Sequence, residues 1–412
     1  MREASVHFNF TAMELVLSEE QRMLRESARA FVKSTGGPNA YRRLLAQDLS
    51  FDRKRLEALG ADGWLRILVS PAKGGLGLGL TELALIMEAA GEGLITEPVA
   101  ELTVAAWAIS TGRAATGLGS TLDKLINGSL VVIPAIRDIE TSATQAARIL
   151  STNEHHGYQL TGETPIIPYS DQGDIFLIDA ATQEGTLIYA VRREGSGLVA
   201  HFAPRKDGIL SGKLVFPGVF VVEDALVASR DQGPRMAASI YDRVLIGHVA
   251  EMLGVMEGAM ALTLGYVQTR EQFDRPIGSF QAIQHRMVDD ALAIETTRSL
   301  LFQTCKAFDD GRAQRAMVAA LKAYASEAVM QVTKSSIQLH GAIGFTEEHD
   351  IGLFLKRALG LSVQYGTASD HRRRFQILSE ERKADPAADQ SREGRRPRKK
   401  RRRSVFSGIS GG

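Results

Sequence analysis

Residues 269–287 read TREQFDRPIGSFQAIQHRM. The run is too polar for a core helix and too regular for a linker. The preceding stretch EGAMALTLGYVQTREQF is expected to be helical and to stop near Asp274-Arg275-Pro276, because Pro276 cannot continue the hydrogen-bond ladder. Gly278 then turns the chain, and Ser279 is expected to cap a second helix that begins with Phe280 and Gln281. Such a corner sets the Arg270 guanidinium where it can grip a diphosphate bidentately, with the Phe273 ring beside it. The next helix adds its free N–H groups and the Gln281 amide. The alternative is plainer: Arg270 offsets the C-terminal dipole of its helix and Phe273 plugs a core. Spacing alone leaves both open.

Working outward, the chain changes texture twice. Residues 14–130 read as helices. In SEEQRMLRESARAFV, Ser18 is the expected N-cap and Leu24, Ala28 and Phe31 share one face. TELALIMEAAGEGL reads as a helix begun by Thr81 and slackened by Gly91 and Gly93. Between these, Gly74, Gly75, Gly77 and Gly79 read as a tight turn, since no Lys-Ser/Thr pair follows as in a phosphate loop. Residues 131–228 hold short runs rich in Val, Ile, Phe and Tyr, parted by Gly, Asp and Asn. With no helical spacers they predict an antiparallel barrel or sandwich. Residues 229–385 return to long helices, with Leu245, Val249, Met252 and Met256 on one stripe and Ile283, Met287, Ala291 and Ile294 on another, as in a four-helix bundle. The expected class is α+β.

Bulk composition narrows the function. The 412 residues include a single cysteine, Cys305, so no intrachain disulfide is possible and a reducing cytoplasm is expected. No apolar run looks long enough to span a bilayer, and the regular pattern starts near Met13, the expected natural start. Between Arg392 and Arg403 lie nine basic residues and one acid, Glu393, which leaves the body acidic. Such a tail, 386–412, can bind nucleic acid or an anionic membrane, but Pro397 and the lack of interleaved aromatics favour a solvated appendage. His155-His156 and the pair His340 and His349 lack metal-ligand spacing and read as surface or turn residues. No G-x-S-x-G elbow supports a serine hydrolase.

Several motifs in order then carry a family resemblance. YVQTREQFDRPIGSFQAIQH resembles the acyl-CoA dehydrogenase signature R-x-Q-F-G-x-P-I-x-x-F-Q. QLHGAIGFTEEHDIGLFLKRA resembles that family's Q-x-H/F-G-G-x-G-[FY] loop, and QYGTASDHRR its Y-E-G-T segment. The N-terminal LSEEQRMLRESARAFV and LGADGWLRILVSPAKGGLGLGLTELALIMEAAG are similar too, so the likeness spans roughly residues 14–380. It implies FAD as cofactor and α,β-dehydrogenation of an acyl-CoA thioester, with hydride passing to the flavin. Arg270, Gln272 and Phe273 are implied on the flavin diphosphate and adenosine, continued by Phe280 and Gln281. The loop Gln338 to Ala342, including Gly341, is implied to reach a partner's flavin, with Thr367 to Ser369 near the adenosine. Ile166, Ile167 and Pro168 fall where the isoalloxazine packs. The implied assembly is a homo-oligomer or a heterotetramer with a second acyl-CoA dehydrogenase subunit, with electron-transfer flavoprotein as acceptor. No nucleic acid is expected on the folded body, and no membrane.

The chemistry needs a carboxylate to take the α-proton, held where burial can bring its pKa toward neutrality. Here the chain departs from the pattern. The Glu of Y-E-G-T is Tyr365, and the alternative base position, 26 residues before Arg270, is Val244. Asp242 lies two residues away, about 200° round the helix, and reads as a surface acid paired with a basic neighbour. No catalytic residue is assigned. The family's T-E-P-x-x-G-S-D loop has become IPAIRDIETSATQ, and W-I-[ST] has become Ile166-Ile167-Pro168. The diphosphate side is better kept than the reactive side. That combination resembles degenerate subunits of heteromeric dehydrogenases. Three readings stay open: an active subunit, a partner that completes another chain's flavin site, or a nucleic-acid or membrane binder acting through the tail.

Overall fold

A computed structural model of the chain describes residues 17–112, 118–138, 148–312 and 314–384. The basic tail, Met13 and all of IETSATQ lie outside the described residues. Helix α1 (Glu19–Thr35) starts on a reciprocal box, the Ser18 hydroxyl accepting from the Gln21 amide while the Gln21 side chain accepts from Ser18 N–H. Helices α2 (Pro38–Ala46) and α3 (Arg53–Ala61) follow. The glycine-rich stretch is a turn: Pro71–Lys73 forms one 3₁₀ turn, with Gly74 and Gly77 in the left-handed region.

Helix α4 (Leu80–Glu92) begins one residue before Thr81, with Gly79 at its N-cap. Its capping is tertiary. Asp309, at the far end of the C-terminal bundle, accepts from the Leu80 and Thr81 amides at 2.8 and 3.1 Å. Gly91 is a contact residue more than a loosening one, because a Cβ there would come within 2.1 Å of the Glu251 carbonyl oxygen. Gly254 does the same on the facing helix, 1.9 Å from the Glu88 carbonyl oxygen, so the two backbones nearly touch. Helices α5 (Val99–Thr111) and α6 (Gly119–Ile126) complete this part.

The central sheet corrects the expectation of an antiparallel, closed barrel. Its strands are β1 (Val132–Ala135), β2 (Ile149–Glu154), β3 (Gly157–Glu163), β4 (Ile167–Pro168), β5 (Ile175–Thr182), β6 (Gly185–Arg192), β7 (Val199–Pro204), β8 (Leu210–Val222) and β9 (Leu226–Ala228). The order β4-β8-β3-β2-β5-β6-β9 ends in two open edges, and β5 pairs in parallel with both β1 and β2. The sheet is therefore mixed and unclosed. Strand β8 holds β3, β4 and β7 at once, and bulges at Gly218 opposite the Leu160/Thr161 register shift.

The C-terminal part contains α7 (Gly233–Thr269), α8 (Gln281–Asp309), α9 (Arg315–His340), α10 (Ile351–Val363) and α11 (Ala368–Ala384). By length and composition α7 is apolar enough to cross a membrane, contrary to the sequence expectation. However, 78% of its apolar window is buried inside the molecule, as suits the central helix of a bundle. Leu245, Val249, Met252 and Met256 are all fully buried.

Buried ion pairs tie the parts together. Arg357 of α10 is wholly buried; it donates through Nε to Glu251 of α7 (2.6 Å) and through Nη1 to Asp207 of the β7–β8 turn (3.1 Å). The Tyr41 hydroxyl of α2 donates to the Asp207 carbonyl at 2.7 Å. A second cluster joins Glu88, Glu92 and Glu257, with Arg298 donating to Glu88 at 3.0 Å and also pairing with Glu257. Burial first, and then the neighbouring Glu257, push the Glu88 carboxyl up to about 7.

Two outcomes follow. Arg357→Met leaves the buried Glu251 carboxylate unpaired and Asp207 with Arg205 alone, and should cost about 3–5 kcal/mol in urea unfolding. Glu88 favours its protonated form in the native state, so the stability it adds is complete below about pH 4.5 and lost as pH rises through about 7. Glu88→Gln should accordingly flatten the fall of stability between these limits by up to about 3 kcal/mol, measured by urea unfolding across that range.

Candidate functional site

The corner after α7 differs from its expected form. The helix ends at Thr269, before the proline, and Arg270 is its C-cap. Arg270 N–H donates to the Tyr266 carbonyl, and its own carbonyl accepts from Ile277 N–H, both at 2.8 Å. This closes a small hairpin in which β10 (Glu271–Gln272) pairs with β11 (Arg275–Pro276). Phe273 and Asp274 form its tip at φ 55° and 62°. That explains the glycine in the related signature: the position needs left-handed backbone, which aspartate tolerates. A bulky Phe273 there is strained and 85% exposed, its ring edge-on to Phe280 at 6.1 Å.

Ser279 does not cap α8. Its hydroxyl donates to the Pro276 carbonyl at 2.7 Å, and Phe280 occupies the N-cap with no side-chain acceptor. The first turn of a 29-residue helix is thus left without a side-chain cap. Arg270 and Gln281 are both exposed, and no side-chain partner meets either among the described residues. A guanidinium, an amide and an uncapped helix start are the donor set that suits an anion such as a diphosphate. Gln272 is exposed, and its amide reaches only the neighbouring Glu271 carbonyl at 2.9 Å.

The second loop lies at the same end of the bundle. His340, at the end of α9, stacks on Tyr266 with ring centroids 4.5 Å apart, one turn before Arg270. It is buried, not a surface histidine; its Nδ1 faces the Ser336 carbonyl at 2.8 Å and the His349 ring lies 4.7 Å from it. Gln338 is exposed just before it. Gly341, at φ 65°, and Ala342 open a 3₁₀ turn that carries Ile343 and Phe345 outward. Thr367 is spent as a cap for α11, its hydroxyl donating to Asp370 at 2.6 Å, while Ser369 stays exposed. In the sheet, Ile166 is 69% exposed but Ile167 is turned into the core, so only Ile166 offers an apolar face.

The reactive side is occupied by a cluster that sequence reading missed. Val244 is buried and apolar. Asp242 is paired with basic groups as expected, but it is interior, accepting from Arg374 at 2.5 Å and from Arg315 at 2.9 Å. The Tyr365 hydroxyl donates to Glu101 Oε1 at 3.3 Å, as does the Gln364 amide. His248 Nε2 meets the same oxygen at 2.9 Å. Burial alone would raise the Glu101 carboxyl, but the His248 charge and hydrogen bond outweigh it and hold it low. Burial, and then Glu101, push the Tyr365 phenol well above its ordinary value, so it cannot serve as a base near neutrality. A signal existed: Glu101 is the lone charged residue of a largely apolar α5, and His248 interrupts the apolar stripe of α7. Periodicity marks such residues as buried but does not pair them.

Comparison with known proteins agrees with the fold. The family models for the N-terminal and the C-terminal domain of acyl-CoA dehydrogenases match residues 18–113 and 231–376. Acyl-CoA dehydrogenase IpdE2 of Mycobacterium tuberculosis is 30% identical over 83% of this chain and 92% of its own. Acyl-CoA dehydrogenase FadE27 of the same organism is 28% identical over 88% and 98%. Among solved structures, a variant of the Tcur3481-Tcur3483 steroid ACAD superposes with TM-score 0.80 at 27% identity, over 89% of this chain and 99% of that one. The ChsE4-ChsE5 complex of M. tuberculosis gives 0.80 at 25%, over 88% and 98%. With the helical, sheet and helical parts in that order and both domain models matched, the chain belongs to the FAD-dependent acyl-CoA dehydrogenase family.

Proposed function

We propose that this chain is a base-lacking subunit of a heteromeric FAD-dependent acyl-CoA dehydrogenase. It takes part in α,β-dehydrogenation of an acyl-CoA thioester while a second acyl-CoA dehydrogenase chain supplies the carboxylate. One observation carries the reading: neither base position holds a carboxylate, and the phenol at one of them is bound to a buried acid. The opposite side of the site is left open. Arg270, Gln272, Phe273, Gln281 and Gln338 are all exposed in the single chain, as residues completed by a neighbour would be.

When bound, the flavin supplies the hydride acceptor. Arg270 and the first turn of α8 would hold its diphosphate, and Ile166 would pack against its ring system. Tyr365 cannot abstract a proton; its hydroxyl only donates to Glu101. The name of one solved relative, a steroid ACAD, supports a steroid or lipid acyl group as the substrate class, and the ChsE4-ChsE5 complex supports an assembly of two chain types. Electron-transfer flavoprotein is the proposed acceptor. An active homo-oligomer, the other reading, requires a base that neither position 244 nor position 365 provides.

The test is the visible spectrum of the chain alone and co-expressed with a related dehydrogenase chain. Flavin bleaching by acyl-CoA is expected only in the two-chain complex; bleaching of the isolated chain would sink the proposal. Arg270→Met in the complex should weaken FAD retention about ten- to hundredfold, the worth of a charge-assisted pair, as read by flavin fluorescence on dilution.

A further inference from the structure

Position 365 is held rigidly. Its backbone sits at φ 58°, and its carbonyl accepts from the Tyr241 hydroxyl at 2.7 Å and faces His371 Nε2 at 2.9 Å. Any side chain placed there leaves the backbone along the line that Tyr365 takes toward Glu101. The groups that face this spot are Glu101 of α5, His248 and Glu251 of α7, Arg357 of α10, and the phenols of Tyr169 and Tyr241. The basic groups around it are already engaged by partners of their own. His248 serves Glu101, and Arg357 is shared between Glu251 and Asp207. Arg205 pairs with Asp207 and holds the Gln364 oxygen at 2.6 Å, which aims the Gln364 amide at Glu101. Lys322, buried close by, is spent on Ser326 and the Leu361 carbonyl.

We infer that Glu101 is the residue that bars a carboxylate from position 365: the buried Glu101–His248 pair and an acid at 365 exclude each other, so regaining a base there takes two changes and not one. Two carboxylates sharing a buried site cannot both ionise cheaply, and no unspent cation is at hand among these groups to relieve them. A phenol is the fitting occupant because it donates to Glu101 where a carboxylate could only repel it. Glu101 is here a positioning residue acting through 365, with no contact to substrate implied. The inference deepens the base-lacking reading, and needs it only for the meaning of position 365.

The test uses the full-length chain without flavin or partner, so its failure leaves the base-lacking reading standing. Tyr365→Glu and Tyr365→Gln are each made with Glu101 and with Glu101→Gln, and unfolded in urea at about pH 5.5 and about pH 8. With Glu101 present at the higher pH, Tyr365→Glu should unfold with a constant roughly tenfold or more above that of Tyr365→Gln. The excess should shrink at the lower pH, where one carboxyl is protonated, and fall to about twofold or less once Glu101 is Gln. An equal excess in both backgrounds, or none in either, overturns the inference. So does failure of Tyr365→Glu to fold in both backgrounds while Tyr365→Gln folds in both.

Discussion

Arg357 is the group on which the arrangement of this molecule depends. It sits with no exposed surface on α10 and divides its guanidinium between a carboxylate on α7 and one from the sheet's β7–β8 turn. Tyr169, at the end of β4, adds its hydroxyl at 3.4 Å. Buried charge is costly unless its hydrogen bonds are met, so the sheet and the bundle are bound to one relative placement. Gln364 and Arg205 extend the same network to Glu101, and hence to the helical N-terminal part. The cluster around Tyr365 is built directly upon this ionic core.

That placement explains a contrast between the two sides of the site. At the corner after α7, polar and aromatic groups stand out with little from their own chain to satisfy them. At position 244 the side chain is buried, and at 365 a partly buried phenol is bonded to a buried acid. Open polar groups at one end and engaged groups at the other are what the proposed two-chain reading requires. The strained tip at Phe273 and Asp274 fits the same picture, because strain at an exposed tip persists where the surroundings use the conformation.

The contact between α4 and α7 shows how the N-terminal part is seated. Two glycines bring the helix backbones together, and the Glu88–Arg298–Glu257 cluster lies at the same junction. Asp309, from the end of α8, caps the start of α4. Neither feature is local. Gly91 reads in the sequence as a flaw in a helix, and in the fold it is the reason two helices can meet.

The sequence by itself determined the order of helical, strand and helical parts, the start of α1 at Ser18, the buried stripe of α7 and the family, because these rest on periodicity, capping chemistry and local motifs. It also determined that positions 244 and 365, where the family resemblance implies a base, carry valine and tyrosine. Only the tertiary structure decided that β1 and β2 run parallel to β5 and that the sheet stays open, since strand partners are distant in the chain. It alone turned Asp242 and His340 inward and moved the end of α7 ahead of Pro276. It alone brought Glu101, His248 and Gln364 onto Tyr365, because a buried polar cluster is assembled from helices far apart in sequence, and composition can mark its members as misfits without saying which of them meet.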